Sequence, residues 1–549
     1  MTTGADKLRS AIKQVLADIS APEVDYVLEH PRNPAHGDLA TNVALQLAPH
    51  LNRKPRDIAE ELVAKLDLPE SLISAIEIAG PGFINFRFGD TALLHVQKSI
   101  CQLEHDYGRS TEGAGRWVNV EFVSANPTGP LHVGHGRGAA LGDAIAALLE
   151  AIGYNVTREF YVNDAGLQVD RLARSLWARI QQACGRDAEI PEGGYHGEYL
   201  VELARRVVAN EGAAFADVPE GEALVRCREI AIADQRAEQD RDMADFGVKF
   251  DSVFNERQLY EDDKISSCLA ELEGRGLTYE SEGALWLRTS EFGDTKDRVL
   301  RKSNGAFTYF LPDIAYHRDK ADRKFARAID IWGADHHGYV ARMNAALLGL
   351  GLSEDFFDVV LVQLVRVMRE GQEVKFSKRA GDFVTLRDLY EETGVDAARY
   401  FFLMRRGDAQ FIFDVDLAKK QSEENPVYYV QYAHTRIAGI FRKAKLSASD
   451  LDVKGADVSM LQEDDERALI KHLERFPAAV EKAARLLEPH RITVYLDKMA
   501  RLANGWYHRH RVIGAPEGLE LARLILARAV QIVLANGLNL LGVSAPERM

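Results

Sequence analysis

Two histidines, His132 and His135, lie in the stretch SANPTGPLHVGHGRG, residues 124–138. They follow a strand-like run, WVNVEFV, and open a helix-like run, so they fall where a helix N-terminus leaves backbone N–H groups unpaired. Such an end binds phosphate readily, and two imidazoles one turn apart can donate hydrogen bonds to one phosphate group. Gly134 between them lets a flat base approach the backbone. We therefore predict a nucleotide site that stabilises charge developing at an α-phosphate.

A basic loop, REGQEVKFSKRAG at residues 369–381, provides a second candidate phosphate site. It places Lys375, Lys378 and Arg379 after the last strand-like run and before a glycine. Lysine ammonium groups suit phosphate, and loops of this kind often close over substrates. A solvated basic surface is the alternative interpretation. Because the loop follows the histidines in the expected chain order, we favour a site for departing pyrophosphate.

The elements around these motifs predict an α/β fold. WVNVEFV, GRGAALGDAIAALLEAIG and NVTREFYV form a strand–helix–strand unit, and AIDIWGAD and FDVVLVQLVRVM are further strand-like runs. This order is typical of a doubly wound, Rossmann-like parallel sheet. We predict a small N-terminal α/β domain over 1–112, a Rossmann-like domain over 113–415 with a large insertion at about 165–301, and an α-helical bundle over 416–549.

Composition limits the class of protein. The 549-residue chain is 46% hydrophobic and 28% charged, as in soluble globular proteins, and its net charge is −15. From Asp416 onward 20 lysines and arginines face 17 acidic residues, so a polyanion partner is permitted there but not demanded. Four scattered cysteines predict no zinc site, no disulfide framework and a reducing, cytoplasmic location. We expect the uncharged stretch 529–545 to be a buried bundle helix, not a membrane span.

The two motifs resemble the signatures of class I aminoacyl-tRNA synthetases, HVGH being similar to HIGH and KFSKR to KMSKS. Val133 and Phe376 are apolar exchanges in these signatures. HGDLATNVA, YVNDAG, VQYAHTRI and the terminal PERM are similar to segments of arginyl-tRNA synthetases, so the resemblance spans essentially the whole chain. It implies activation of L-arginine with ATP to arginyl-adenylate, then transfer to the 3′-terminal adenosine of tRNA(Arg). It also implies Mg²⁺ beside ATP, no structural metal and a monomer.

The resemblance further implies roles for individual residues. The residues implied in catalysis are His132, His135, Lys375 and Lys378, and those implied in ATP binding are His132, Gly134, His135, Asp335, His336 and Lys378. The residues implied in arginine binding are Glu121, Ser124, Asn126, Tyr309 and Asp313, and those implied in tRNA binding are Tyr432, Arg436 and Met549. For Glu121 a structural ion pair with an arginine is the alternative, and Pro312 predicts a loop or bend between Tyr309 and Asp313.

Other classes of protein remain open at this point. A cysteinyl-type synthetase would need a zinc-binding cysteine set, and the large editing types would need a longer insertion. A small-molecule adenylyl ligase, such as a pantothenate synthetase, shares the HxGH loop but lacks this N-terminal unit and the bundle. A non-catalytic tRNA-binding paralogue predicts damaged signatures, whereas both histidines and both lysines are present.

Overall fold

The computed structural model describes residues 4–31, 33, 36–89, 92–93, 95–164, 167–374, 384–447 and 450–549. The chain begins with a small α/β unit whose antiparallel sheet has the strand order β1-β2-β4-β3 and buries Leu8, Leu47 and Phe86. Its elements are α1 (Gly4–Asp18), β1 (Leu28–Glu29), β2 (Leu39–Thr41), α2 (Val43–Leu51), α3 (Pro55–Lys65), β3 (Ile73–Ala79) and β4 (Phe83–Phe88). Pro55 opens α3, where its missing N–H would have no partner in any case.

The core of this N-terminal unit ends before the predicted boundary at residue 112. The next helix, α4 (Val96–Leu103), buries Val96 and Ile100 in the main core of the molecule and not in the N-terminal core. The Cys101 thiol lies 3.7 Å from the carbonyl oxygen of Ile525 in the C-terminal bundle. The helix that follows the N-terminal unit therefore packs directly against the bundle.

A five-stranded parallel sheet follows, with the strand order β12-β11-β5-β6-β7. The chain order reverses between β5 and β11, which is the point where doubly wound sheets bind ligands beyond the carboxyl ends of their strands. The elements that form this layer are β5 (Trp117–Glu121), α5 (Val133–Ala151), β6 (Asn155–Val162), β7 (Ser252–Asn255), α11 (Phe310–Asp322), β11 (Arg327–Gly333), α12 (His337–Gly349) and β12 (Phe357–Val362). The predicted Rossmann-like sheet is confirmed.

The segment predicted as an insertion differs from the prediction in one respect, because β7 within it belongs to the parallel sheet. Before β7, three helices form a unit with a small core of its own; after it, a hairpin sheet has the order β10-β9-β8. Only Phe254 of the four residues of β7 is buried, so this edge strand shows no apolar run. The additional elements are α6 (Leu167–Ala183), α7 (Glu198–Glu211), α8 (Glu220–Asp245), α9 (Arg257–Glu261), α10 (Lys264–Gly274), β8 (Thr278–Ser281), β9 (Ala284–Leu287) and β10 (Arg298–Arg301).

The run FDVVLVQLVRVM holds two strands that belong to different sheets. β12 is the edge of the parallel sheet, whereas β13 (Val365–Arg369) pairs with β14 (Gln372–Glu373) and with β15 (Phe411–Asp414). The remaining elements are helices: α13 (Leu386–Thr393), α14 (Val395–Leu403), α15 (Val415–Lys419), α16 (Pro426–Ala444), α17 (Asp464–Glu474), α18 (Phe476–Arg485), α19 (His490–Arg509) and α20 (Leu519–Leu540).

The apolar helix α20 lies inside the C-terminal bundle. It is long and apolar enough to cross a membrane, but 78% of its most apolar window is buried. Val533, Leu534 and Leu538 have no exposed surface. The interpretation of this stretch as a buried bundle helix is therefore supported by its packing.

Candidate active site

The helix α5 begins in a reciprocal cap formed by the two predicted histidines. The backbone N–H of His135 donates to Nδ1 of His132 (3.2 Å), and the N–H of His132 donates to Nδ1 of His135 (3.3 Å). The two rings stack with their centroids 3.6 Å apart. Because each Nδ1 accepts a hydrogen bond, a neutral ring holds its proton on Nε2. The cap thus selects the tautomer of both rings.

Both imidazoles are neutral near pH 7. Burial lowers the pKa of His132, and burial together with the neighbouring His132 lowers the pKa of His135 to about 3. A neutral donor stabilises charge that grows at a phosphate during reaction without placing a fixed positive charge in the empty site. Neutral donors of this kind are suited to stabilise the charge of a transition state more than that of a bound ground-state anion.

Gly134 is required by the ring of His132. A Cβ atom at position 134 would lie 2.9 Å from Cε1 and 3.0 Å from Nδ1 of that ring. This reason differs from the predicted close approach of a base, and both reasons exclude a side chain. ATP binding by Gly134 stays a prediction.

The histidines line a cleft of about 690 Å³ at the reversal point of the sheet. Its lining comes from the β5–α5 loop, the first turns of α5, the carboxyl ends of β11 and β12 and the segments that follow these two strands. The predicted ATP ligands Asp335 and His336 lie there too, with His336 Nε2 3.4 Å from an Asp335 carboxylate oxygen. The structure therefore brings four predicted ATP-site side chains, and Gly134, into one cleft: His132, His135, Asp335 and His336.

The segment after the basic loop is hydrogen-bonded to the histidine motif. The N–H of Val133 donates to the carbonyl oxygen of Val384 (3.2 Å), and the N–H of Leu386 donates to that of Leu131 (2.8 Å). Lys375, Lys378 and Arg379 lie outside the described residues. The described chain resumes at Val384, directly beside the histidine motif.

A buried arginine of α5 connects this helix to two backbone segments by hydrogen bonds. The Arg137 guanidinium has no exposed surface and donates to the carbonyl oxygens of Gln363 (2.9 Å), Arg406 (2.8 Å) and Ala409 (3.1 Å). Gln363 lines the cleft. Charge-assisted hydrogen bonds are strong, so Arg137 holds α5 against the segment after β12.

A second pocket, of about 290 Å³, has a different chemical character. It is lined by two predicted arginine ligands, Asn126 and Tyr309, and by Gln168, Glu256 and Tyr260. Asn126 Nδ2 donates to Gln168 Oε1 (2.6 Å), and Tyr309 is 79% exposed. Aromatic, amide and carboxylate groups therefore meet at this pocket.

Two carboxylates near this pocket have raised pKa values. Burial raises the pKa of Asp313 to about 6, although a hydrogen bond from the Tyr339 hydroxyl opposes the rise. Burial, then the charges of Asp313 and Asp164, raise the pKa of Glu256 to about 7. A planar guanidinium is the cation that would neutralise such a pair best.

The prediction of a loop or bend at Pro312 is wrong. The helix α11 runs through this residue, and Pro312 occupies its first turn, where the missing N–H has no intrahelical partner. Tyr309 is the N-cap, and the N–H of Asp313 donates to its carbonyl oxygen (3.3 Å). The two residues are therefore one helical turn apart, on the same side of the helix.

The Glu121 side chain is buried and hydrogen-bonded to that of Ser124. Its carboxylate accepts hydrogen bonds from the Ser124 hydroxyl (2.9 Å), the Lys320 ammonium (2.6 Å) and the Tyr316 hydroxyl (2.8 Å). Lys320 is fully buried and also donates to Asp330 (2.8 Å). The ion pair of Glu121 is thus with a lysine and not with an arginine. Direct binding of arginine by Glu121 and Ser124 stays a prediction.

Predicted tRNA-binding residues cluster on α16. The rings of Tyr428 and Tyr432 stack at 5.9 Å, and the Arg436 guanidinium lies 4.6 Å from the Tyr432 ring and 5.2 Å from the Tyr507 ring. Tyr432 and Arg436 are half-buried, and the terminal Met549 is 54% exposed. The rings are therefore partly open to a base that could stack on them.

Three residues of the second pocket are absent from the predicted sites: Glu256, Tyr260 and Gln168. Glu256 directly follows β7, so the rule that ligands bind at the carboxyl ends of strands indicates it once β7 is recognised. Gln168 meets Asn126 through a long-range contact, and neither Gln168 nor Tyr260 leaves a spacing signal.

The fold and this cleft define a class I aminoacyl-tRNA synthetase, and comparison with known proteins agrees. The family model "tRNA synthetases class I (R), catalytic domain" matches residues 96–435, "Arginyl tRNA synthetase N terminal domain" matches 6–88 and "DALR anticodon binding domain" matches 430–549. The chain belongs to the arginyl-tRNA synthetase family.

Individual relatives support the same assignment. The chain is 50% identical to an arginine–tRNA ligase of Desulforudis audaxviator, covering 99% of this chain and 97% of that protein. It is 49% identical to one of Syntrophotalea carbinolica over 98% and 97% of the two chains. The Thermus thermophilus arginyl-tRNA synthetase structure superposes with a TM-score of 0.74 at 26% identity, covering 99% of each chain. Another class I synthetase is thereby excluded as the identity of this chain.

Proposed function

We propose that this protein activates L-arginine with ATP and transfers the arginyl group to tRNA(Arg). In the first step the arginine carboxylate attacks the α-phosphorus and pyrophosphate leaves. His132 and His135 donate from Nε2 to the α-phosphate as its charge grows, and Lys375 and Lys378 neutralise the pyrophosphate. The observation that supports this best is the reciprocal histidine cap, which leaves both rings neutral and Nε2-protonated in the cleft.

The second pocket is proposed to select arginine. Asp313 and Glu256 would meet the guanidinium, Tyr309 would cover it, and Asn126 and Ser124 would hold the other end of the amino acid. A buried charge partner gives strong discrimination, because an uncharged side chain would leave the carboxylates unpaired. Glu121 would then act by orienting Ser124, to which it is hydrogen-bonded at 2.9 Å.

Two surfaces are proposed to bind tRNA. On the bundle, Tyr432 would stack on an unpaired base while Arg436 holds a phosphate or a base edge, with Met549 nearby. On the N-terminal unit, a groove of about 310 Å³ includes Asn85 and Phe83, whose side chain is 43% exposed. An exposed aromatic ring beside an amide is suited to a splayed nucleotide.

The remaining features are proposed on chemical grounds. Mg²⁺ would accompany ATP, and Asp335 in the cleft contributes a carboxylate that could hold it together with phosphate oxygens. The four cysteines are free thiols, which is consistent with a cytoplasmic protein. We also propose a monomer, with domains near the predicted limits of 1–112, 113–415 and 416–549. Sedimentation velocity tests the oligomeric state.

The activity is tested by ATP–pyrophosphate exchange with each amino acid, run with and without tRNA(Arg). We expect exchange with L-arginine and formation of arginyl-tRNA(Arg). Exchange with a different amino acid, or tRNA binding without any aminoacylation, would contradict the proposal. The second outcome would favour the non-catalytic paralogue.

A further inference from the structure

The C-terminal segment, residues 541–549, follows α20 and forms neither helix nor strand. Irregular terminal segments are usually poorly ordered unless other elements hold them. Here α14 and α16 both bind the segment through named side chains. The segment ends at the exposed Met549.

One carboxylate on α14 holds the middle of the segment. Asp396 accepts a hydrogen bond from the backbone N–H of Ser544 (3.0 Å) and another from the Ser544 hydroxyl. It also accepts from the side-chain amide of Gln431 (2.7 Å), whose same nitrogen donates to the Ser544 carbonyl oxygen (3.0 Å). A carboxylate can accept from all these donors at once, whereas an amide would turn its own donor group toward one of them.

The helix that holds Tyr432 and Arg436 binds the segment from the other side. His434 Nδ1 and the Thr435 hydroxyl both donate to the carbonyl oxygen of Pro546 (2.9 Å each). Gln431, His434 and Thr435 are buried, while the neighbouring Tyr432 and Arg436 are half-buried. One face of α16 therefore fixes the terminal segment and the adjacent face presents the predicted tRNA contacts.

The same helix α14 also connects the segment to the helix of the catalytic histidines. Arg399, one turn after Asp396, is fully buried and donates to the carbonyl oxygen of Leu541 (3.1 Å). Its other nitrogens donate to the Phe246 carbonyl oxygen (3.1 Å) and to the Asp143 carboxylate of α5 (2.5 Å). The start of the terminal segment is thus attached to α5 through a single side chain.

We propose that Asp396 is a positioning residue for tRNA recognition. It holds the terminal segment against α16, so that Met549, Tyr432 and Arg436 form one preorganised surface, and α14 holds that surface at a constant distance from α5. This inference rests on the proposed tRNA-binding function of the bundle. Without the Asp396 carboxylate, the segment must be ordered at the moment of binding, which weakens tRNA affinity.

The test is Asp396→Asn, with Asp322→Asn as a matched control because the Asp322 carboxylate pairs at the surface with Arg318. We expect the Kd and KM for tRNA(Arg) to rise about tenfold in Asp396→Asn, as for a lost charge-assisted hydrogen bond. The KM values for ATP and arginine should stay within about twofold, and hydrogen exchange should quicken at 541–549. The control should match the wild type in each measurement.

Two further variants keep the test decisive if Asp396→Asn does not fold. Gln431→Ala and Ser544→Ala each remove a donor to Asp396 and should shift tRNA affinity in the same direction by a smaller factor. Unchanged tRNA affinity below the melting temperature would overturn the inference, as would equal rises in the KM for tRNA, ATP and arginine. If the wild type itself fails to charge tRNA(Arg), the proposed function fails and not this positioning role.

Discussion

The two pockets beside the β5–α5 loop differ in their ionisable groups. The cleft of His132 and His135 contains neutral imidazoles, and burial, with the neighbouring His132, lowers the pKa of His135 to about 3. The second pocket is lined by Glu256, with Asp313 near it, and their pKa values are raised to about 7 and about 6, mainly by burial. Burial is the largest cause of the shift in each pocket, and it acts in opposite directions on imidazoles and carboxylates because it disfavours the charged form of both.

The two pockets should also act at different stages of the reaction. Neutral imidazoles gain most when charge appears at phosphorus, so they should act on turnover. A guanidinium would neutralise the buried carboxylates as soon as it binds, so these carboxylates should act on the affinity for arginine. Variants of the two pockets should therefore separate kcat from KM.

His135→Asn should have the largest effect. It removes a donor to charge that develops in the transition state, so kcat should fall on the order of 10²-fold or more while the KM for ATP rises less. Steady-state aminoacylation and single-turnover adenylate formation measure this. His105→Asn, at an exposed position outside the cleft, is the control. Near-wild-type turnover in a folded His135→Asn protein would refute the assignment.

Asp313→Ala should affect binding of the amino acid. Loss of a charge partner for the guanidinium should raise the KM for arginine about tenfold to a hundredfold, with little change for ATP. Asp322→Asn on the same helix, where the carboxylate pairs at the surface with Arg318, is the control. Equal changes in the KM values of both substrates would mean that Asp313 has a structural role and that the two pockets are not independent.

Tyr432→Ala tests the bundle, whose described residues contribute no lining to either pocket. If the ring stacks on a base, affinity for tRNA(Arg) should fall by roughly 1–3 kcal/mol without any change for ATP. Tyr432→Phe keeps the ring and should retain most of the affinity. The alternative is a packing role, in which case the alanine variant would lose thermal stability and bind tRNA normally at low temperature. Anisotropy titration and thermal melting on one preparation distinguish the two.

Acidification should weaken the proposed arginine site. A guanidinium is held best by ionised carboxylates, so kcat/KM for arginine should fall about tenfold between pH 8 and pH 6, as Glu256 and then Asp313 take up protons. Their raised folded-state pKa values also mean that the ligand-free protein loses stability as pH rises through this range. Arginine should therefore raise the melting temperature more at pH 8 than at pH 6.

The matching prediction for His135 is an absence of titration. Since the pKa of His135 is about 3, its ring stays neutral from pH 6 to pH 8 and should add no pH dependence to the KM for ATP. Glu256→Gln should flatten the arginine profile. A profile for ATP as steep as that for arginine would contradict the electrostatic separation of the pockets.

Much of the fold follows from local pattern. The apolar strands around WVNVEFV and the long periodic helices after Asp416 are visible in the sequence, because buried parallel strands and bundle helices require continuous apolar runs. The edge strand β7 has no apolar run to indicate it, because only one of its four side chains is buried. The prediction of a bend at Pro312 is wrong because a proline in the first turn of a helix has the same local sequence as a proline in a bend.

The amino-acid sequence by itself determined the chemistry of this protein: the paired histidines, the glycine between them, the basic loop and the family to which they belong. Only the tertiary structure decided their states and partners. The Lys320 partner of Glu121 is a long-range contact, and the burial that lowers the pKa of His135 comes from the packing around the cleft. A residue type states what a group can do, whereas burial and neighbours set its pKa, its tautomer and its direction.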